Sequence, residues 1–263
     1  MTLLSDCLTI TRVGTYERCP RQWGYIYAAG LRMRPNWAMV GGSAMDATLN
    51  RHHGDRIRGS PEIRGSAMTD FFVETFRRLA CKEDPIGERS GDIESDGTRL
   101  LSIYEREVTP QVEPIAVQRE VTIPIGEKTY LGHVDLIRQA EDGARVVTDH
   151  KFVSRTPSTD AASKSLQLRA YDLGVDDPAH RVELTCLIRL KGKPCVSTLP
   201  HIVSPQDRRE VIDKFRKTAL LIDTMVFPQA DPASWMCSPT SCGFWPICRG
   251  RTAGPLPIPG ERE

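Results

Sequence analysis

The chain lacks long apolar runs. Nowhere in its 263 residues do about 20 apolar residues follow one another, the length that a membrane-spanning helix needs. The N-terminal segment MTLLSDCLTITR also lacks the basic start and apolar stretch of a signal peptide. We therefore expect a cytoplasmic protein without membrane segments.

Two motifs of common enzyme classes are missing as well. The sequence has no Gly-x4-Gly-Lys-Ser/Thr loop, so a nucleotide-driven motor such as a helicase would have to be a separate chain. It has no histidine-rich ligand set, which disfavours a zinc hydrolase of small molecules.

Lysine is absent from residues 1–64, where nine arginines and five acids leave a local charge of +4. Such a face suits a phosphate backbone, although an ordinary solvated surface has the same composition.

The periodicity of apolar residues predicts helices first and strands later. Turn residues separate the elements, and a break at Cys19-Pro20 divides the first helical stretch. The predicted helices cover residues 9–29, 41–53, 66–81, 96–108, 158–174 and 205–226, and the predicted strands cover 115–124, 129–138, 145–153, 183–190 and 195–203. This order predicts an α/β fold: a mixed sheet flanked by helices, with a catalytic core at about 111–226 and a helical N-terminal elaboration at about 9–110.

One predicted strand carries charged residues where a buried strand would be apolar. Side chains two apart on a strand share a face, so Asp149 and Lys151 point the same way. On the preceding strand, Asp135 shares a face with His133, and a tight turn would bring Asp135 close to Asp149. Two carboxylates and a lysine are costly to bury without a cation or a substrate. The alternative is a structural Asp–Lys pair at a strand end.

Metal-assisted hydrolysis of a phosphodiester uses this set of side chains. Two carboxylates can hold Mg²⁺ or Mn²⁺ through oxygen, and the main-chain carbonyl of His150 is a natural further ligand. The ion activates a water, and a lysine nearby can stabilise the developing charge. The candidate catalytic residues are therefore Asp135, Asp149 and Lys151.

Three motifs in order resemble the PD-(D/E)xK nuclease superfamily, in particular its RecB-like branch. They are Gly132-x-x-Asp135, Asp149-x-Lys151 and Gln167-x-x-x-Tyr171. The resemblance covers about residues 11–249 and implies a restriction-endonuclease-like fold. It further implies that Asp135 and Asp149 bind the metal, that Lys151 is catalytic, and that Gln167 and Tyr171 contact DNA or brace the site.

One motif departs from the family pattern. The family often has a histidine early in a helix and a glutamate four residues later, where this chain has Asp46 and Asn50. Asp46 can still bind a hard cation and is our fourth candidate metal ligand. The alternative is an acid that interacts favourably with a helix N-terminus. His52 and His53, which follow, are predicted to lie on the surface.

Eight cysteines are many for a cytoplasmic protein, where metal or cluster ligation is more common than disulfides. Cys237, Cys242 and Cys248 lie in a segment predicted to be irregular, and Cys19 lies far upstream. The arrangement resembles the RecB-like iron–sulfur nucleases, which implies a [4Fe–4S] cluster on these four thiolates that joins residues 235–249 to Cys19. Zn²⁺ and free thiols remain alternatives. The other cysteines are predicted to be core residues or unpaired thiols: Cys7, Cys81, Cys186 and Cys195.

Arginines and aromatic residues alternate near the N-terminus. Such a pattern can hold a DNA strand through phosphate contacts and base stacking, and Arg12 and Arg21 are the candidates for this role. Trp23 and Tyr27, four residues apart, are predicted to pack in the core instead.

Taken together, these features predict a metal-dependent exonuclease that acts on DNA ends in recombination, repair or replication. It would be a single domain over residues 1–249 with a disordered tail at 250–263, of the stand-alone phage type. It would work in a bacterial or phage-infected cytoplasm with a separate helicase or recombinase. The alternatives are a catalytically inactive DNA-binding protein of the same fold and a cluster-bearing adaptor protein.

Overall fold

Helices occupy the first part of the chain, as the periodicity predicts. The computed structural model of the protein describes residues 8–87, 93–175, 177, 179–254 and 256. The helices before the sheet are α1 (Ile10–Arg18), α2 (Pro20–Trp23) with a π-helical turn at Gly24–Ala28, α3 (Trp37–Ile57), α4 (Gly65–Glu83), α5 (Ile93–Glu107) and a 3-10 turn at Thr109–Gln111. Thr9 caps α1 by accepting a hydrogen bond from the backbone N–H of Arg12.

A five-stranded mixed sheet follows, which confirms the predicted α/β fold class. Its strands lie in chain order: β1 (Glu113–Ile125), β2 (Lys128–Gln139), β3 (Arg145–Val153), β4 (Arg181–Ile188) and β5 (Cys195–Ile202). Neighbouring strands are antiparallel except β3 and β4, which are parallel. Parallel neighbours need a crossover, and here it contains α6 (Ala161–Lys164) and α7 (Leu166–Gly174). The chain continues through α8 (Pro205–Asp223) and the short α9 (Trp245–Cys248).

The sheet separates two apolar cores. Alternate residues of β4 belong to different cores, because Cys186 and Ile188 pack in one and Leu187 in the other. Helices α1, α7 and α8 cover the first face, and α3, α4 and α5 cover the second. None of the helices in the described residues combines the length and apolar content that crossing a bilayer requires.

Two predicted helix boundaries are wrong. The third helix begins at Trp37, capped by Asn36, so the predicted start at Gly41 lies inside it. Gly41 packs there against the sheet, and a Cβ at this position would lie 2.8 Å from Phe152. The predicted helix 158–174 is divided at Ser165, whose extended backbone ends α6 and whose hydroxyl accepts the backbone N–H of Leu168 to cap α7.

Some residues of the predicted disordered tail make contacts in the structure. The backbone N–H of Gly254 donates to Ile247, and Leu256 packs against the first core. The rest of the tail, like Cys7, lies outside the described residues.

Candidate active site

The site lies where strands β2 and β3 separate. Their backbone pairing ends at Leu136 and Thr148, one residue before Asp135 and Asp149. Beyond this point the backbone N–H of His150 donates to Asp135 Oδ2 at 2.9 Å. The Asp135 carboxylate thus takes the place of a backbone acceptor on the partner strand. This hydrogen bond holds the carboxylate between the strands, beside Asp149.

A chain of polar contacts joins the remaining motif residues. Lys151 Nζ donates to Asp149 Oδ1 at 2.9 Å and to Gln167 Oε1 at 3.2 Å. Gln167 Nε2 donates in turn to the Tyr171 hydroxyl at 2.7 Å. Helix α7 therefore braces the lysine, which is one of the two roles expected for Gln167 and Tyr171. Contact of these two residues with DNA stays a prediction.

Gly132 has a steric reason to be glycine. A Cβ at this position would lie 2.8 Å from the Tyr171 ring and would overlap Ile10. Strand β2 can approach α1 and α7 this closely only because the residue has no side chain. The same strand brings Asp135 to the site three residues later, so the glycine allows the packing that fixes both the aspartate and the tyrosine.

Burial shapes the electrostatics of the acids. Burial, together with repulsion from Asp135, raises the pKa of Asp46 to about 6. Asp149 is fully buried, and burial raises its pKa to about 6 although Lys151 opposes the shift. Burial also raises the pKa of Asp135. For Lys151, burial alone would lower the pKa, but Asp149 and Asp135 outweigh it and raise the pKa, so the ammonium stays protonated.

The acid side chains are suited to a hard divalent cation. Asp149 Oδ2 is buried without a hydrogen bond, since Nζ of Lys151, although 2.7 Å away, is outside hydrogen-bond geometry. Within the described ranges, no three His, Cys, Asp or Glu side chains are placed to hold a metal ion on their own. Mg²⁺ does not need three, because it usually binds one or two carboxylates and completes its shell with water and substrate phosphate.

A family comparison decides what this arrangement is. The family model of the PD-(D/E)XK nuclease superfamily matches residues 7–249. The chain belongs to the PD-(D/E)XK nuclease superfamily. This family hydrolyses nucleic acid, typically with divalent metals such as Mg²⁺, and the site of the nuclease described above contains the acid and lysine residues that give the family its name.

One solved structure agrees at the level of the fold. The crystal structure of a protein named "Putative exonuclease" from Eubacterium rectale is similar with a TM-score of 0.55 at 10% identity, over 89% of this chain and 87% of that one. The crystal structure of SSO0001 gives a TM-score of 0.45 at 14% identity, over 93% and 86%, which is too low to support a conclusion. No curated protein sequence matches the nuclease.

The nuclease also contains a buried polar network that sequence reasoning missed. His52 and His53, predicted to lie on the surface, are fully buried on α3, so that prediction is wrong. The Tyr104 hydroxyl lies 2.8 Å from His53 Nε2 and 3.0 Å from His150 Nε2. His150 therefore presents its backbone to Asp135 and its ring to α5. His150, a polar residue in a strand predicted to be buried, was the available signal in the sequence. Its partners His53 and Tyr104 are far away in sequence, so the pattern does not identify them.

The four predicted cluster cysteines line one cavity. Cys19, at the start of α2, faces Cys237, Cys242 and Cys248 across it. Burial raises the pKa of the Cys242 thiol, and the three other thiols raise it further. All four are free cysteines, and in the part of the chain that the structure describes their side chains are not placed to hold a metal ion. Of the other cysteines, Cys186 is buried, Cys195 is half-buried and Cys81 is exposed.

The two candidate DNA-binding arginines lie in different surroundings. The Arg12 guanidinium lies over the Tyr27 ring at 4.8 Å. Arg21 lines the cysteine cavity, where burial raises the pKa of the Cys248 thiol and the charge of Arg21 opposes that rise. Trp23 is buried in the core, and Tyr27 packs against it, as predicted. The DNA-binding role of both arginines stays a prediction.

Metal binding by the nuclease is expected to depend on pH near 6. A cation held by the predicted ligands Asp46 and Asp149 would need both carboxylates ionised. Burial raises both pKa values to about 6, so Mn²⁺ affinity should rise as the pH passes through 6. Because a raised carboxyl pKa favours the protonated folded state, the metal-free protein should lose stability as the pH rises from about 4 to about 7. Thermal unfolding with and without Mn²⁺ at several pH values measures both effects. A Mn²⁺-induced stabilisation of equal size at pH 5 and pH 8 would contradict this prediction.

Proposed function

We propose that the chain is a metal-dependent deoxyribonuclease that hydrolyses phosphodiester bonds at DNA ends. The observation that carries the proposal is the meeting of Asp135, Asp149 and Lys151 where β2 and β3 separate. The family match supports nuclease chemistry, and the similar fold named "Putative exonuclease" supports action at ends. The proposed deoxyribonuclease acts in recombination, repair or replication. It is part of a phage-type machinery and works beside a separate helicase or recombinase.

Each residue has a role in the proposed reaction. Asp135 and Asp149 would hold Mg²⁺ or Mn²⁺, with Asp46 and the main-chain carbonyl of His150 as further ligands. The bound ion supplies an activated water and neutralises charge on the scissile phosphate. Lys151 keeps its proton and places a positive charge beside the developing negative charge.

The surrounding residues act through position. Gln167 and Tyr171 hold the lysine ammonium toward Asp149, so the charge is oriented before the substrate binds. Arg12 and Arg21 contribute phosphate contacts away from the reacting bond. The DNA substrate itself would be single-stranded or a duplex end.

The exonuclease proposal is tested with matched linear and covalently closed circular DNA in Mn²⁺. We expect the linear form to lose nucleotides from its ends while the circle stays intact. Equal cleavage of both forms would make the protein an endonuclease and would overturn the proposed action at ends. The measurement is the release of acid-soluble label over time, with EDTA as the control without metal.

We further propose that Cys19, Cys237, Cys242 and Cys248 carry a [4Fe–4S] cluster. Four thiols from the two ends of the chain around one cavity support it, because such a cluster takes four thiolates and would join these ends. Four cysteines also suit Zn²⁺, which is the alternative ligand.

Substitution of Cys248 by serine tests the cluster. After anaerobic purification we expect the parent protein to show the broad thiolate-to-iron absorbance band at about 400 nm. Cys248→Ser should lose this band, whereas Cys81→Ser, at an exposed cysteine outside the cavity, should keep it. Metal analysis that finds zinc and no iron in the parent would contradict the cluster and support the alternative.

A further inference from the structure

Asp46, the residue at which this chain departs from its family, is held by two amide side chains. Asn50 Nδ2, one turn later on α3, donates to Asp46 Oδ2 at 3.1 Å. Gln118 Nε2, on β1, donates to Asp46 Oδ1 at 3.3 Å. Each carboxylate oxygen thus has its own donor, and the two donors come from different elements. The orientation of the carboxylate is therefore fixed relative to both the helix and the sheet.

Neutral donors are the suitable kind for this task. A lysine or arginine beside Asp46 would neutralise the carboxylate and compete with a cation for it. An amide N–H orients one lone pair of an oxygen and leaves the negative charge and another lone pair available. Burial raises the pKa of Asp46, the charges of Asp135 and Asp149 raise it further, and the charge of Lys151 lowers it, so Asp46 lies within reach of the charges of the same site.

Gln118 adopts a backbone conformation that its position in a strand does not explain. Its φ is +48°, in the left-handed region, although it lies inside β1. The paired positions of β1 and β2 pass from Val117 with Leu136 to Arg119 with Val134, which leaves Gln118 opposite Asp135. A residue other than glycine is strained in such a conformation. Gln118 is also exposed, so burial of its side chain does not offset this strain.

We propose that Gln118 is a positioning residue that, together with Asn50, holds Asp46 as a ligand for the catalytic cation at the expense of backbone strain. The inference rests on the proposed metal-dependent function and extends it to a residue outside the three family motifs. The strain and the hydrogen bond occur in one residue, so a single substitution separates them: glycine tolerates the left-handed backbone and removes the amide.

The experiment compares Gln118→Gly with Met225→Gly. Met225 also has a positive φ, of 59°, and lies just beyond α8 outside the acid group, so its glycine variant relieves strain without changing the site. Free Mn²⁺ is titrated by electron paramagnetic resonance without DNA, and the melting temperature of the metal-free protein is measured in parallel. We expect both variants to melt at or above the parent temperature. Gln118→Gly alone should bind Mn²⁺ about tenfold more weakly, the usual cost of losing an outer partner of a metal ligand.

The outcomes separate this inference from the proposed function. Unchanged Mn²⁺ affinity in Gln118→Gly, with binding lost in Asp149→Asn, would overturn the role of Gln118 and leave the metal-dependent nuclease standing. A lower melting temperature together with weaker binding would show that Gln118 supports the fold and would overturn the strain argument. Absence of Mn²⁺ binding by the folded parent protein would overturn both.

Discussion

Replacing Asp149 by asparagine is expected to reduce DNA cleavage on the order of a thousandfold, the scale of losing one preorganised charge in an active site. The substitution removes the negative charge that holds the Lys151 ammonium and that, in the proposed mechanism, would hold the cation. It keeps the size of the side chain, and burial already favours the neutral form at this position. The melting temperature of the metal-free protein should therefore change little, while cleavage of end-labelled DNA in Mn²⁺ should almost stop.

Asp142→Asn is the matched control for this substitution. Asp142 is exposed in the turn between β2 and β3 and pairs with Arg181, away from the acid group. The control should cleave DNA at the parent rate. If Asp149→Asn cuts as fast as the parent, the site assigned here is wrong. The corresponding change Lys151→Ala should also abolish cleavage without unfolding the protein.

The largest effect on stability is expected from Arg138→Met. Arg138 on β2 makes a two-pronged salt bridge with Glu183 on β4, with bonds of 2.8 and 2.6 Å, and Thr148 on the strand between donates to the same carboxylate. The Glu183 side chain is 6% exposed, so loss of the arginine would leave a buried charge without its counterion. Such a loss costs about 3–5 kcal/mol, which urea denaturation would measure as a lower free energy of unfolding.

Two companion variants test the reason for that effect. Arg181→Met breaks an exposed pair with Asp142 and should change the free energy of unfolding by less than about 1 kcal/mol. Adding Glu183→Gln to Arg138→Met removes the unpaired charge and should restore most of the lost stability. Equal destabilisation by Arg138→Met and Arg181→Met would show that burial of Glu183 does not determine the cost.

The order of the strands and the core of the active site follow from local patterns in the sequence. Asp149 and Lys151 stand out as charged residues in an otherwise buried strand. Because side chains two apart on a strand point the same way, their shared face can be predicted without knowing which strands lie beside it. In the structure the Lys151 ammonium donates to Asp149, and Asp135 accepts from the backbone N–H of His150, the residue next to Asp149.

Features that depend on distant partners could not be predicted in the same way. The helix pattern gives no reason to bury His52 and His53, whose burial depends on Tyr104, His150 and Thr109 more than 50 residues away. The Gly41-Gly42-Ser43 sequence suggests a helix start, but Gly41 instead allows α3 to pack closely against Phe152 of the sheet. Gln118 has no local signal, because a left-handed glutamine inside a strand contradicts its propensity.

The most direct test of the central claim is the rate at which the folded protein, supplied with a divalent metal ion, degrades end-labelled linear DNA under single-turnover conditions. The account predicts rapid loss of label with Mn²⁺ or Mg²⁺, none with EDTA, and a loss about a thousandfold slower with Asp149→Asn under any ion. Intact DNA with every ion, from a protein that still binds DNA, would contradict it. That result would make the Asp46 and Asn50 departures decisive and identify a catalytically inactive DNA-binding protein of the same fold.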